Sequence, residues 1–213
     1  MNVTVFGATG AVGALVVAQL RHQGHVVTAY VRNPDKVPAD SGVDVIVVVG
    51  ELFDANSVDR AVQGADAVVS ALGPSLDRKA AGLPLVEGTR TIVTAMQRHG
   101  VRRYVGNGSP SVLDPREQPT RQTRLSTFLA KTFLRRAYDA LVGMSEIVMA
   151  SGLDWTIVRF LAPNDGQASG RVRQGFYGRD KLGFKFTRAD IATFTAAQMD
   201  DDRYIVAAPA ISN

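Results

Sequence analysis

The chain has 213 residues, of which 46% are hydrophobic and 21% charged, with a net charge of +4. That balance suits one soluble globular domain with room for a sizeable core. The absence of cysteine excludes a disulfide scaffold, a thiolate metal site and a cysteine nucleophile, and it fits a reducing cytosol. No apolar run approaches the ~18 residues that span a bilayer, and no signal peptide opens the chain. A cytoplasmic protein without a membrane partner is therefore expected.

Strand-like and helix-like runs alternate. Val3 to Phe6 reads as a strand, and Ala11 to Gln23 as a helix stopped by Gly24. Val26 to Val31 is a second strand. Val43 to Val49 is a third, apolar enough to predict burial on both faces. Asn56 to Val62 reads as a short helix with Asn56 as its N-cap and Asp59 in its first turn. Ala65 to Ala71 is a fourth strand, Leu85 to His99 a helix closed by Gly100, and Arg103 to Val105 the start of a fifth strand. A long helical region follows from Arg121 to Ala150, with a break expected near Gly143. Trp155 to Phe160 is a sixth strand. Thr187-Arg-Ala-Asp190 opens a helix to about Met199 as a near capping box, and Tyr204 to Ala208 is a last strand. This alternation predicts βαβ units: an α/β fold with a parallel sheet and helices on both faces. The loose stretches Gly106 to Thr120 and Ala162 to Gly183 both follow strands, where an open α/β sheet forms its ligand crevice.

Between the first strand and first helix stands Gly7-Ala-Thr-Gly10-Ala-Val-Gly13. Glycine permits a sharp turn where the strand ends, lets a pyrophosphate approach the backbone, and lets the helix pack closely on the sheet. The helix N-terminus then offers N–H groups and partial positive charge to phosphates. The motif thus predicts a dinucleotide seat. An acid at the tip of the second strand would bind the ribose hydroxyls of NAD; here Arg32 stands there, with Lys36 four residues on. A guanidinium suits the 2′-phosphate, so NADP is expected rather than NAD.

GATGAVG, VRNP, GADAVVSALGP and SGLDWTIVRF together resemble the atypical short-chain dehydrogenase/reductases, in particular the NAD(P)H-binding group related to NmrA and to biliverdin reductase B, the flavin reductase. The resemblance covers nearly the whole chain. It implies a Rossmann-type, doubly wound, mostly parallel sheet over residues 1–213, with the part from about 160 to 213 supplying the substrate side. It also implies that Gly7, Thr9, Gly10, Ala11 and Val12 line the pyrophosphate and that Arg32 takes the 2′-phosphate. Leu52 and Phe53 would border the adenine, and Ala71, Leu72 and Gly73 the middle of the cofactor. Ser109 would face the nicotinamide, and Phe160 to Pro163 would contact the nicotinamide end of the cofactor.

Conventional members use Tyr-x-x-x-Lys, in which the lysine lowers the tyrosine pKa and the tyrosine protonates the carbonyl oxygen. The nearest match, Tyr138-Asp-Ala-Leu-Val142, has valine for the lysine, so Tyr138 reads as a packing or surface residue. Phe160 replaces the usual proline, and Ala162 stands where biliverdin reductase B has a histidine. His22, His25 and His99 sit near helix ends and form no metal-ligand pattern, so no metal is indicated.

Without that acid, ketone reduction is hard, whereas hydride transfer to a flavin, a quinone or another conjugated acceptor requires chiefly orientation. The expected function is therefore an NADPH-dependent reductase of such an acceptor. Ser109 is either a hydrogen-bond donor at the reacting centre or a turn serine before Pro110. The alternative function is an NmrA-like NADP sensor without turnover; a sugar-nucleotide epimerase would need the missing tyrosine–lysine pair. The segment Gly170 to Lys181 is either a cover for the acceptor, with Phe176 and Tyr177 as stacking faces and Arg171, Arg173 and Arg179 as charge, or a surface hairpin. Much of the positive charge lies at Arg116, Arg121, Arg124, Lys131, Arg135 and Arg136. It reads as a solvated helix face or an anion site; no DNA-reading motif accompanies it, so no nucleic-acid partner is expected.

Overall fold

The computed structural model describes residues 1–37, 45–74, 83–118, 120–161, 163–183 and 186–213, apart from the side chains of Gln122 and Ser126. Val43, the expected start of the third strand, and Ala162 lie outside the described residues. The strands are β1 (Asn2–Phe6), β2 (Val26–Val31), β3 (Val45–Val49), β4 (Ala67–Ser70), β5 (Arg103–Gly108), β6 (Asp154–Arg159), β7 (Arg173–Gly175) and β8 (Ala210–Ser212). They join one sheet in the order β3-β2-β1-β4-β5-β6-β8-β7, parallel throughout except for the antiparallel pair β7–β8. The helices are α1 (Gly13–His22), α2 (Ala55–Val62), α3 (Pro84–His99), α4 (Arg121–Phe133), α5 (Arg135–Met149) and α6 (Arg188–Ala197). This is the expected doubly wound Rossmann-type fold.

Side chains of successive strand residues point to opposite faces, and both faces are apolar. Val3, Val5 and Val27 join Val16 and Leu20 of α1 and Ile191 and Phe194 of α6 in one core. Phe6, Val68, Tyr104 and Trp155 join Val58 of α2 and Ile92 and Met96 of α3 in the other. Gly143 interrupts no helix: it lies inside α5, where a Cβ would stand 3.0 Å from Val86 of α3. The break falls instead at Leu134, whose φ of −124° and ψ of 35° leave the helical region.

Several expected boundaries move for local reasons. The N-cap of α2 is Asp54 rather than Asn56; its carboxylate accepts from the backbone N–H groups of Asn56 and Ser57 at 3.1 and 3.3 Å. Thr187 does cap α6, accepting from the N–H of Asp190 at 3.0 Å. The Asp190 carboxylate accepts from the Thr187 hydroxyl at 2.8 Å and also takes the N–H groups of Ser169 and Gly170, pinning that loop to the helix. The last strand is not Tyr204 to Ala208. A 3-10 turn occupies Asp202–Tyr204, Val206 adopts a φ of 53°, and within the expected range Ala207 makes an isolated bridge to Thr156 of β6 before pairing continues as β8. The stretch containing β7 is an edge strand of the main sheet, paired to β8.

The largest departure concerns β3. It was expected to be buried on both faces, yet Ile46, Val47 and Val49 are 54%, 40% and 49% exposed. β3 pairs only with β2 and forms an edge of the sheet. An unbroken apolar run reads the same for a central strand and for an edge strand, because its neighbours are set by topology.

Candidate functional site

The site begins where the strand order reverses. β1 has β2 on one side and β4 on the other, so the loops leaving β1 and β4 part and open a crevice at their carboxyl ends. Gly7 ends β1 with a φ of +78°, and a Cβ there would stand 2.9 Å from the Ala71 carbonyl carbon. The N–H of Ala71 donates to Phe6 O at 2.9 Å, locking the two loops together at their base. Gly10 N–H donates to Gly7 O at 3.0 Å and closes the turn. Helix α1 starts at Gly13, two residues later than expected, and no side chain caps it. Its N-terminal dipole is thus left for a ligand.

Gly13 sits so close to the turn that a Cβ there would overlap the Gly7 carbonyl oxygen. The expected result of Gly13→Val is separation of α1 from the turn, with loss of cofactor binding and a melting temperature lowered by several degrees. Calorimetry and a cofactor titration check this; a variant that binds and melts like the wild type would refute the close-packing role.

The cleft has a volume of about 530 Å³. Gly7, Thr9, Gly10, Arg32, Leu52, Ala71, Leu72 and Gly73, all singled out from the sequence, line it. Tyr30, Asn33, Lys36 and Glu51 also line it, and of these the sequence pattern singles out only Lys36. Arg32 and Lys36 are exposed and have no carboxylate partner among the described residues, so both cations are available to a ligand. Asn33 shapes the turn between them: its side chain accepts from the N–H of Asp35 at 2.9 Å. Burial, helped by the charges of Asp54 and Glu51, pushes the Tyr30 phenol up to about 12. It therefore remains a neutral donor, bonded to Glu51 O at 2.8 Å, and ties the end of β3 to β2. That contact could not be read from a local pattern, because the partners come from different strands.

Other candidates lie outside this lining. Ala11 is exposed beside it, and Val12 turns its side chain into the core. Phe53 is 76% exposed and does not reach the cleft. Ser109 follows β5 and is half-buried; its hydroxyl oxygen accepts from Ser111 N–H at 3.3 Å, and its carbonyl accepts from Val112 N–H at 3.0 Å. This is a serine turn, with the hydroxyl proton left for another acceptor. Phe160 is half-buried and packs against the core rather than the cleft.

The faces that Phe176 and Tyr177 could offer for stacking are already engaged. Tyr177 is 6% exposed and lies under the Arg159 guanidinium, 5.4 Å from the ring centre, while Phe176 packs between Arg116 and Tyr204. Arg159 is wholly buried. It donates two bonds to Glu117, at 2.9 and 2.5 Å, one to Val112 O at 2.6 Å and one to Ala208 O at 2.7 Å. Glu117 also accepts from Tyr177 N–H at 3.0 Å. The network ties the loop after Ser109 to β6 and to the turn after β7. Among the described residues no cluster of His, Asp and Glu forms a metal site.

Residues 7–202 match the sequence signature of the NAD(P)H-binding family. The chain belongs to that family. Over 122 residues, 53% of this chain, it is 34% identical to the 3-beta-hydroxysteroid dehydrogenase of Mycolicibacterium neoaurum, of which it spans only 33%. A short-chain dehydrogenase/reductase of Veillonella parvula, solved in complex with NADP, superposes with a TM-score of 0.82 at 16% identity, covering 100% of this chain and 94% of that one. ChuY, an anaerobilin reductase from Escherichia coli O157:H7, gives 0.79 at 20% identity, covering 100% of this chain and 97% of that one. These two show the shared fold. Membership of the family agrees with the resemblance to atypical short-chain dehydrogenase/reductases. No helix among the described residues is long and apolar enough to cross a membrane.

Proposed function

We propose that this protein is an NADPH-dependent reductase that delivers hydride to a conjugated acceptor, such as a flavin or a quinone, without a tyrosine–lysine acid. The observation that carries the reading is the cleft at the β1/β4 crevice, where the glycine turn that leads into the uncapped helix α1 meets Arg32 and Lys36, two cations without a carboxylate partner among the described residues. The turn and α1 would hold the pyrophosphate, and Arg32 with Lys36 the 2′-phosphate. When bound, the nicotinamide supplies the hydride. The residues after β4 and β5, with Ser109 as a donor, would set its face toward the acceptor and exclude water.

The sequence supports a mechanism without a tyrosine–lysine acid: Val142 stands four residues after Tyr138, where a lysine would be needed. A conjugated acceptor spreads the incoming charge and takes its proton later from water, so it suits a site built for orientation. One neighbour of the same fold is a short-chain dehydrogenase/reductase solved with NADP and another is named an anaerobilin reductase, which is compatible with this reading.

The test is NADPH oxidation with riboflavin, FMN and a short-chain quinone as acceptors. The expected result is turnover with at least one of them and a smaller rate for simple ketones. Tight NADPH binding with no turnover on any acceptor would replace this reading with that of an NADP sensor.

A further inference from the structure

Helix α4 is turned inside out. Its Thr123, Thr127 and Ala130 face the body of the protein, whereas Leu125, Phe128, Leu129 and Phe133 are 58%, 64%, 44% and 70% exposed. Leu113, from the loop after Ser109, and Leu134 extend the patch at 62% and 52% exposure. The apolar residues recur at helical spacing and form one outward stripe. Scattered exposed leucines are ordinary, but a contiguous outward stripe on a helix marks a surface that meets something apolar.

The charge around the stripe identifies what it meets. From Arg121 to Arg136 the chain carries five cations (Arg121, Arg124, Lys131, Arg135 and Arg136) and no acid; Arg135 pairs with Asp139 just beyond, at 3.8 Å. Arg121, Arg124 and Lys131 have no carboxylate partner among the described residues. Between Leu113 and Phe128 lies a shallow cavity of about 350 Å³, and Arg124 and Lys131 stand at its edge. An apolar floor bordered by cations complements the acyl chain and phosphate of a lipid. A second copy of this chain fits poorly, because a two-fold contact through α4 would bring both sets of cations together.

We propose that α4 is a surface-binding helix that lies in the interface of a membrane rich in anionic phospholipid, with its Leu and Phe side chains among the acyl chains and its cations at the headgroups. Such binding needs no spanning segment, which is why the absence of one in the sequence did not reveal it. The inference stands on the surface of α4 and does not depend on the hydride acceptor.

The experiment is flotation of the full chain with vesicles of phosphatidylcholine alone or mixed with phosphatidylglycerol. Partition onto the anionic vesicles should be about tenfold or more stronger than onto neutral ones and should weaken as salt is raised. Leu125→Glu/Phe128→Glu should lower it about tenfold or more. Arg121→Gln/Arg124→Gln/Lys131→Gln should do so independently through charge. All five positions are exposed, so circular dichroism and melting should stay unchanged, and the charge variant keeps the test decisive if the apolar one misfolds. No partition onto anionic vesicles, or equal partition onto both kinds, overturns the proposal. A wild-type dimer by light scattering that Leu125→Glu/Phe128→Glu splits, without vesicle binding, shows instead that a second copy covers the stripe.

Discussion

Replacing Arg159 with methionine should destabilise the protein by about 3–5 kcal/mol, because the Glu117 carboxylate would remain buried without its partner. The Glu117 side chain is only 4% exposed and Arg159 is 0% exposed, so water cannot replace the lost bonds. Val112 O and Ala208 O would lose donors as well. For a chain of this size the melting temperature should fall by on the order of 10 °C. The double variant Arg159→Met/Glu117→Leu should recover much of that loss, since it removes the stranded charge together with the pair. The measurement is a thermal or urea melt of the wild type, both single variants and the double. A double variant no better than Arg159→Met would show that packing of the guanidinium against Tyr177, 5.4 Å from its ring centre, matters more than charge pairing.

The second expected result concerns the choice of cofactor. Arg32→Ala should weaken NADPH binding by about 10- to 100-fold, the range of a charge-assisted bond to phosphate, while changing NADH binding little. Lys36→Ala should act in the same direction and less strongly, because an ammonium makes a point contact where a guanidinium makes a paired one. Glu51 tests the assignment from the other side. It lines the same cleft at the end of β3, and a carboxylate there could accept ribose hydroxyls. If wild-type protein binds NADH as tightly as NADPH, or if Arg32→Ala weakens both equally, the NADP assignment fails. Titration by quenching of Trp155 fluorescence or by calorimetry distinguishes these outcomes.

Much of the cleft lining was legible because its parts are local. Gly7 to Gly13 occupy one strand–turn–helix, Arg32 directly follows β2, and Ala71 directly follows β4. The segment Gly170 to Lys181 was not legible. In sequence Phe176 and Tyr177 fit either a stacking cover or a surface hairpin, but Arg159, Arg116 and Tyr204 engage them from elsewhere in the chain. Burial of an aromatic ring depends on what folds over it, and those partners lie tens of residues away. The break at Leu134 was missed for a related reason: glycine is the usual suspect, yet Gly143 serves the contact between α5 and α3.

By itself, the sequence determined the alternation of the first six strands with helices, the glycine turn and the cation that follows the second strand. Each depends on backbone freedom, hydrophobic period or charge within about a dozen neighbouring residues. Only the tertiary structure decided that β3 is an edge, that Arg159 and Glu117 pair across 42 positions, and that α4 presents its apolar side outward. Hydrophobic periodicity shows that a helix has two faces; the elements packed around it determine which face is left to the solvent.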